Sequence, residues 1–292
     1  MKKNLSPQSP GLHRWNLEVS APGAIAGVRI GCISILGKSP GPTSVIMAGQ
    51  HGRELCGTLA AALESRSMEI ASVSGTIHMV PLVNPLAALI RRQDFPFEES
   101  RYRKLPHDRT ANLDRLWGGG KEESPVLSAI CKVLWEELLS SADAILDLHA
   151  WSEWFCPMAW AHERDQDLLY QSGFPFQVVR QSSSQPSLHT LREMAWAVNK
   201  PVLVAELPGQ NTVRPASLDL GRGVIRNFLV SLGQFPAERR VELTRSPLVW
   251  RDGFSRWEAV APASGLWHSL VPAGTLVSKG DLLGEILCVD RW

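Results

Sequence analysis

Two stretches decide the reading of this chain: Val45-Ile46-Met47-Ala48-Gly49-Gln50-His51-Gly52-Arg53-Glu54 and, far downstream, Ala144-Ile145-Leu146-Asp147-Leu148-His149. In each, a short apolar run, the pattern of a strand buried on both faces, ends in a polar cluster. A His at one strand end, a Glu three residues on in the first helical turn, and a second His at another strand end form the ligand set of a catalytic zinc. Three protein donors hold such an ion and leave the fourth position to water. The H-x-x-E pair alone is weak, because a solvated loop His and a Glu complementing a helix N-terminus give the same spacing. Position strengthens it, since ligands of open α/β sheets gather at the carboxyl ends of strands. His51, Glu54 and His149 are therefore the expected ligands of one Zn2+ per chain, and the expected chemistry is metal-dependent hydrolysis.

The neighbours extend this. Asp147 and His149, two apart on a strand, share a face, so Asp147 can accept a hydrogen bond from a ligand imidazole and fix its tautomer. The bland alternative is a strand-end Asp paired with an Arg. Glu206 ends another apolar run, Val202-Leu203-Val204-Ala205. Without a metal it reads as an ion-pair partner; with one, it reads as the general base that takes a proton from water. Between the two His runs, Arg91 to Gly120 is too long for an ordinary connection and carries seven arginines or lysines through Arg115. A solvated basic loop is the plain reading. The sharper one has one arginine stabilising an oxyanion and another gripping a carboxylate.

Working outward, strands are expected at Trp15 to Val19, Val28 to Leu36, Ser44 to Ala48, Thr76 to Val83, Ala144 to Leu148, Phe176 to Val179 and Val202 to Glu206. Helices are expected from Arg53, with Leu55, Leu59, Ala62 and Leu63 on the apolar face, and over Val126 to Leu139, Ser187 to Val198 and Leu218 to Leu232. Ser124-Pro125 reads as an N-cap and first helical position. Strands alternating with helices predict an α/β fold, a mixed, largely parallel sheet with helices on both faces. Past Gln234 to Arg245 the chain becomes Gly- and Pro-rich, so residues 1–238 are assigned to a catalytic domain and 239–292 to a small all-β appendage.

Composition sets the outer bounds. At 292 residues and 44% apolar, the chain can bury a large core. Its net charge of +1 gives no bulk attraction to nucleic acid or anionic lipid. No apolar run approaches the roughly 18 residues that span a membrane, and the basic start lacks the apolar stretch of a secretory signal. Five scattered cysteines without a C-x-x-C pair predict reduced thiols in a cytoplasm. The expected partner is a small molecule; a homo-oligomer stays open. Two motifs are set aside. Gly37-Lys38-Ser39-Pro40-Gly41 fits G-x-S-x-G, but Pro40 lacks the N–H an oxyanion hole needs and a strand follows, so it reads as a turn. Lys279 lies in a piece resembling a biotinyl/lipoyl-type β-sandwich, but its surroundings read as a structural turn.

Taken together, the motifs resemble the zinc carboxypeptidase superfamily, in its succinylglutamate desuccinylase/aspartoacylase branch. His51-Gly52-Arg53-Glu54 resembles the first metal pair, and Asn84-Pro85-Leu86-Ala87 the Asn-Pro-x-Ala segment. Arg101-Tyr102-Arg103 leading to Asn112-Leu113-Asp114-Arg115 resembles the Arg-rich segment, Asp147-Leu148-His149 the third ligand, and Glu206 the catalytic glutamate. The resemblance implies a zinc carboxypeptidase-like fold and a zinc-dependent hydrolase cleaving the amide bond of a small N-acylated amino acid or related compound. It implies that Glu206 is base and then acid, that Arg103 polarises the carbonyl (with Arg101 and Arg92 as alternatives), and that Arg115, with Asn112 and Asp114, meets the substrate. Two departures stand out: Asp114 replaces an asparagine, and Trp117-Gly118-Gly119 replaces Phe-Pro-Gly. The rival readings are a metallocarboxypeptidase acting on short peptides and a non-catalytic binding protein on the same fold.

Overall fold

The computed structural model describes residues 7, 9–20, 27–94, 112–118, 124–181, 189–244, 247–251, 255 and 257–288. Its strands are β1 (Gly11–Val19), β2 (Val28–Leu36), β3 (Ser39–Ala48), β4 (Ser74–Val80), β5 (Ala144–Trp151), β6 (Met158–His162), β7 (Phe176–Arg180), β8 (Val202–Pro208), β9 (Leu248–Arg251), β10 (Leu266–Ser269) and β11 (Gly284–Leu287). The helices are α1 (Leu55–Ser67), α2 (Pro85–Leu89), α3 (Pro125–Leu134), α4 (Gln166–Gln171), α5 (Leu191–Ala197) and α6 (Pro215–Ser231). Nine strands form one sheet in the order β1-β2-β4-β3-β5-β8-β6-β7-β9. The central pairs β4/β3, β3/β5 and β5/β8 are parallel, and antiparallel pairs occur at β1/β2, β2/β4 and β8/β6. The mixed, largely parallel α/β sheet expected from the sequence is the fold observed. A two-stranded antiparallel hairpin, β10–β11, stands apart near the C-terminus.

Both faces are covered, which is why the central strands read as unbroken apolar runs. One face buries Ile46, Leu146, Leu148, Leu203, Ala205 and Leu207 against α1 and α6. The other buries Val45, Met47, Ile145, Val202 and Val204 against α3 and α5. On α1 the buried residues are Cys56, Gly57, Ala60, Ala61, Glu64 and Ser65, not the leucine stripe expected from periodicity; Leu59 is 43% exposed. The reason is close approach. A Cβ on Gly57 would come within 2.7 Å of the Leu148 Cβ, and one on Gly221 of α6 within 2.8 Å of the Ala60 Cβ. Small residues thus let α1 lie against the sheet and against α6. Buried Glu64 ties the same pair of helices, receiving Arg226 Nε at 2.6 Å and Arg222 Nε at 2.9 Å.

Four further differences from the sequence reading have local causes. Ser39 to Gly41 is the start of β3 rather than a free turn. A register shift between Ser39 and Thr43 accommodates Pro40 and Pro42. The helix predicted over Val126 to Leu139 changes at Trp135 into a π-helical turn, Trp135–Leu139. Strand β6, unpredicted, inserts antiparallel beside β8. Strand β9 lies beyond the 238/239 division drawn from sequence, yet it pairs in parallel with β7 and extends the main sheet. Among the described residues no helix is long and apolar enough to cross a membrane.

Candidate metal centre

The parallel register of β5 and β8 aligns His149 with Glu206 and Asp147 with Val204. Side chains alternate along each strand, so Asp147, His149 and Glu206 project from the face covered by α3 and α5. Strand β3, on the other side of β5, ends at Ala48 and delivers Gln50, His51 and Glu54 to the same edge.

The loop carrying His51 and Glu54 is held tightly. Asn84 is fully buried: it receives the Ala87 N–H as the cap of α2 and donates its amide to the Gln50 carbonyl at 3.1 Å. Gly52 lies so close to α2 that a Cβ there would sit 2.0 Å from the Ala87 carbonyl carbon. The glycine of H-G-x-E is required by this backbone contact, and the Asn-Pro-x-Ala segment supplies the opposing surface.

Three donors converge. Glu54 Oε1 lies 2.8 Å from His51 Nδ1, and Glu54 Oε2 lies 3.1 Å from His149 Nδ1. The donor atoms of all three residues fall within 4.8 Å of one another, and each residue is buried. The outer ring nitrogens are occupied elsewhere. His51 Nε2 donates to Asn112 Oδ1 at 3.0 Å, and His149 Nε2 donates to Asp147 Oδ2 at 3.2 Å. With each Nε2 turned outward, both Nδ1 atoms face the Glu54 carboxylate as hydrogen-bond donors, the positions from which, deprotonated, they would bind an ion. This donor set fits zinc: two nitrogens and one carboxylate oxygen, each oriented by a partner. Burial pushes the Glu54 carboxyl up, but the hydrogen bonds from His149 and His51 outweigh it and hold it at about 2. Burial lowers the His149 imidazole, and Asp147 and Glu54 together raise it well above its ordinary value.

Gln50, to which the sequence reading gave no role, organises the outer ring. Its Oε1 receives the Trp117 indole N–H at 2.7 Å, which orients the amide so that Nε2 donates to Asp147 Oδ2 at 2.7 Å. Its place, one residue before His51 at a strand end, was the available signal. Asn112 accepts at its Oδ1 from His51 and from the Asp114 backbone N–H. Asp114 and Arg115 follow on a single 3-10 turn, Leu113–Arg115. Asp114 is 7% exposed, and its Oδ2 receives Arg115 Nη1 at 3.2 Å. Burial raises the Asp114 carboxyl, with Asp147 adding to the rise and His149, His51 and Arg115 opposing it.

Glu206 makes no hydrogen bond among the described residues and neighbours Met158 of β6 in register. Burial pushes its carboxyl up to about 7, against the lowering field of His149. A half-buried carboxylate poised near neutrality beside the imidazoles suits proton transfer. His51, Glu54, His149, Asp147, Glu206, Asn112, Asp114 and Arg115 thus occupy one edge of the sheet. Arg103 and its alternative Arg101 lie outside the described residues, and Arg92 is exposed.

Residues 40–232 match the model of the succinylglutamate desuccinylase/aspartoacylase catalytic domain. The N-alpha-acetyl-L-2,4-diaminobutyric acid deacetylase of Halomonas elongata is 24% identical over 271 residues, covering 89% of this chain and 74% of that protein. A succinylglutamate desuccinylase/aspartoacylase structure from Rhodobacter sphaeroides superposes with a TM-score of 0.77 at 19% identity, covering 99% of this chain and 87% of the other. The product-bound ectoine utilization protein EutE from Ruegeria pomeroyi superposes with a TM-score of 0.75 at 21% identity, covering 99% of this chain and 86% of that one. The structural likenesses carry the fold, the match over residues 40–232 carries the kinship, and the chain belongs to the succinylglutamate desuccinylase/aspartoacylase family.

Proposed function

We propose that this protein is a zinc-dependent deacylase that hydrolyses the amide bond of a small N-acylated amino acid or related compound. The observation that carries this reading is the convergence of the His51, Glu54 and His149 donors within 4.8 Å beside Glu206 on the adjoining strand. The deacetylase activity named for the Halomonas elongata relative supports it. Five unpaired cysteines suit a cytoplasmic enzyme.

His51, Glu54 and His149 would hold the ion, with Asn112 and Asp147 fixing the two imidazoles. Zinc, when bound, makes a water acidic enough to ionise near neutral pH and polarises the scissile carbonyl. Glu206 takes the proton from the attacking water and returns it to the departing nitrogen, a double role suited to a carboxyl near 7. Arg103 steadies the developing oxyanion. Arg115, half-exposed at the rim, has N–H groups left over from Asp114 for the carboxylate of the amino acid.

Glu206→Gln tests this directly. The variant is expected to keep stoichiometric zinc and lose about 10²–10⁴-fold in kcat; undiminished turnover would remove Glu206 from the mechanism. A panel of N-acyl amino acids and short peptides then separates deacylase from carboxypeptidase.

A further inference from the structure

We infer that Asp114 is a specificity-determining residue and that the amino acid released by this site carries a cationic side chain, an ammonium group, which Asp114 receives. This rests on the hydrolytic reading above and names the substrate class it serves. An ionised carboxylate offers about four acceptor positions. Among the described residues, Asp114 uses one of them, for Arg115 Nη1 at 3.2 Å. The rest of the carboxylate is enclosed, at 7% exposure, where water supplies little. A primary ammonium brings three donors and the compensating charge, a match to what this carboxylate lacks.

Location makes the group relevant to substrate. Asp114 follows Asn112, the residue that holds His51, by two positions, and its field reaches both imidazoles. Its contact with Arg115 also changes what that arginine can do. With one N–H committed to Asp114, Arg115 presents a half-neutralised guanidinium, adequate for one carboxylate and poor for a second. A second acidic group on the substrate, brought to this wall, would meet Asp114 with Asp147 behind it. Like-charge juxtaposition excludes it more effectively than a missing contact would.

Three ligands differing in a single terminal group test the assignment: 2,4-diaminobutyrate, 2-aminobutyrate and aspartate. Their binding to the zinc-loaded protein is measured by calorimetry. The expected order has 2,4-diaminobutyrate at least about tenfold tighter than 2-aminobutyrate, with aspartate weakest. Asp114→Asn, isosteric and still able to accept from Arg115, is expected to keep its zinc and shrink the diamino preference to about threefold or less. A wild-type protein that binds aspartate best, or an Asp114→Asn variant with the wild-type ranking, overturns the proposal. The wild-type ranking decides alone should the variant not fold. Because binding requires no turnover, a zinc-loaded protein inert toward every N-acyl substrate would sink the hydrolytic reading while the ranking still judged Asp114.

Discussion

His78 supplies a stability switch whose size follows from its surroundings. It faces Ser34 across the β2/β4 pair, and Ser34 Oγ lies 2.8 Å from His78 Nδ1. Trp15 Nε1 donates to the same oxygen at 2.8 Å, so the serine hydroxyl directs its own proton to the imidazole. Burial lowers the His78 pKa from 6.5 to about 4. A proton arriving on Nδ1 would charge a buried ring and displace the serine donor. Because the folded value lies below the unfolded one, the unfolded chain takes up the proton first. The contribution is therefore complete above about 6.5 and disappears as pH falls through about 4. At ~1.36 kcal/mol per pH unit, the gap amounts to about 3 kcal/mol. Urea unfolding followed by tryptophan fluorescence at pH values from 4 to 7.5 should show the wild type losing this amount on acidification. His78→Gln, which cannot titrate, should lose about 3 kcal/mol less over the same range. Parallel pH profiles for the two proteins, or an NMR titration placing His78 near 6.5, would refute the reasoning.

Two further outcomes follow from the candidate metal centre. Asp147→Asn can keep an acceptor toward His149 and Gln50 but removes the charge behind the imidazole, so zinc affinity in chelator competition should fall about 10- to 100-fold; affinity within twofold of wild type would count against Asp147 as the imidazole's orienter. Gly52→Ala forces a Cβ to 2.0 Å from backbone of α2, which cannot yield as a side chain would. It should cost at least about 2 kcal/mol in urea unfolding and weaken zinc binding with it, and an unchanged midpoint would mean that loop and helix separate freely.

What was legible in the sequence was chemistry attached to strand ends. His51, Glu54, His149 and Glu206 each follow an apolar run whose burial on both faces leaves little other choice of structure, so strand and candidate site residue could be read together. Partners assigned by folding alone were not legible. Nothing in the chain near Asn112 says that its amide oxygen turns to His51, 61 residues away. The link between Gln50 and Trp117 spans 67 residues and is equally silent. Strand β6, Met158-Ala159-Trp160-Ala161-His162, lacks the β-branched residues that mark a strand and owes its state to the open edge of β8. The buried face of α1 was misjudged because side-chain size, not hydrophobicity, decides which face can approach another backbone. Gly57 and Ala60 win over Leu59 for that reason.

The lateral register of β5 and β8 has a consequence for how such a protein diversifies. Adjacent strands stand ~4.8 Å apart under the control of main-chain hydrogen bonds, so the spacing between the His149 and Glu206 backbones is dictated by the ladder and is indifferent to most side-chain exchange. The two side chains are in effect bolted to a rung. The turn bearing Asp114 and Arg115 is joined to this framework through two side chains, Asn112, which holds His51, and Trp117, which holds Gln50 and through it Asp147. Exchanging positions 113–116 while retaining Asn112 and Trp117 should alter what this wall recognises without disturbing the His51, Glu54 and His149 cluster.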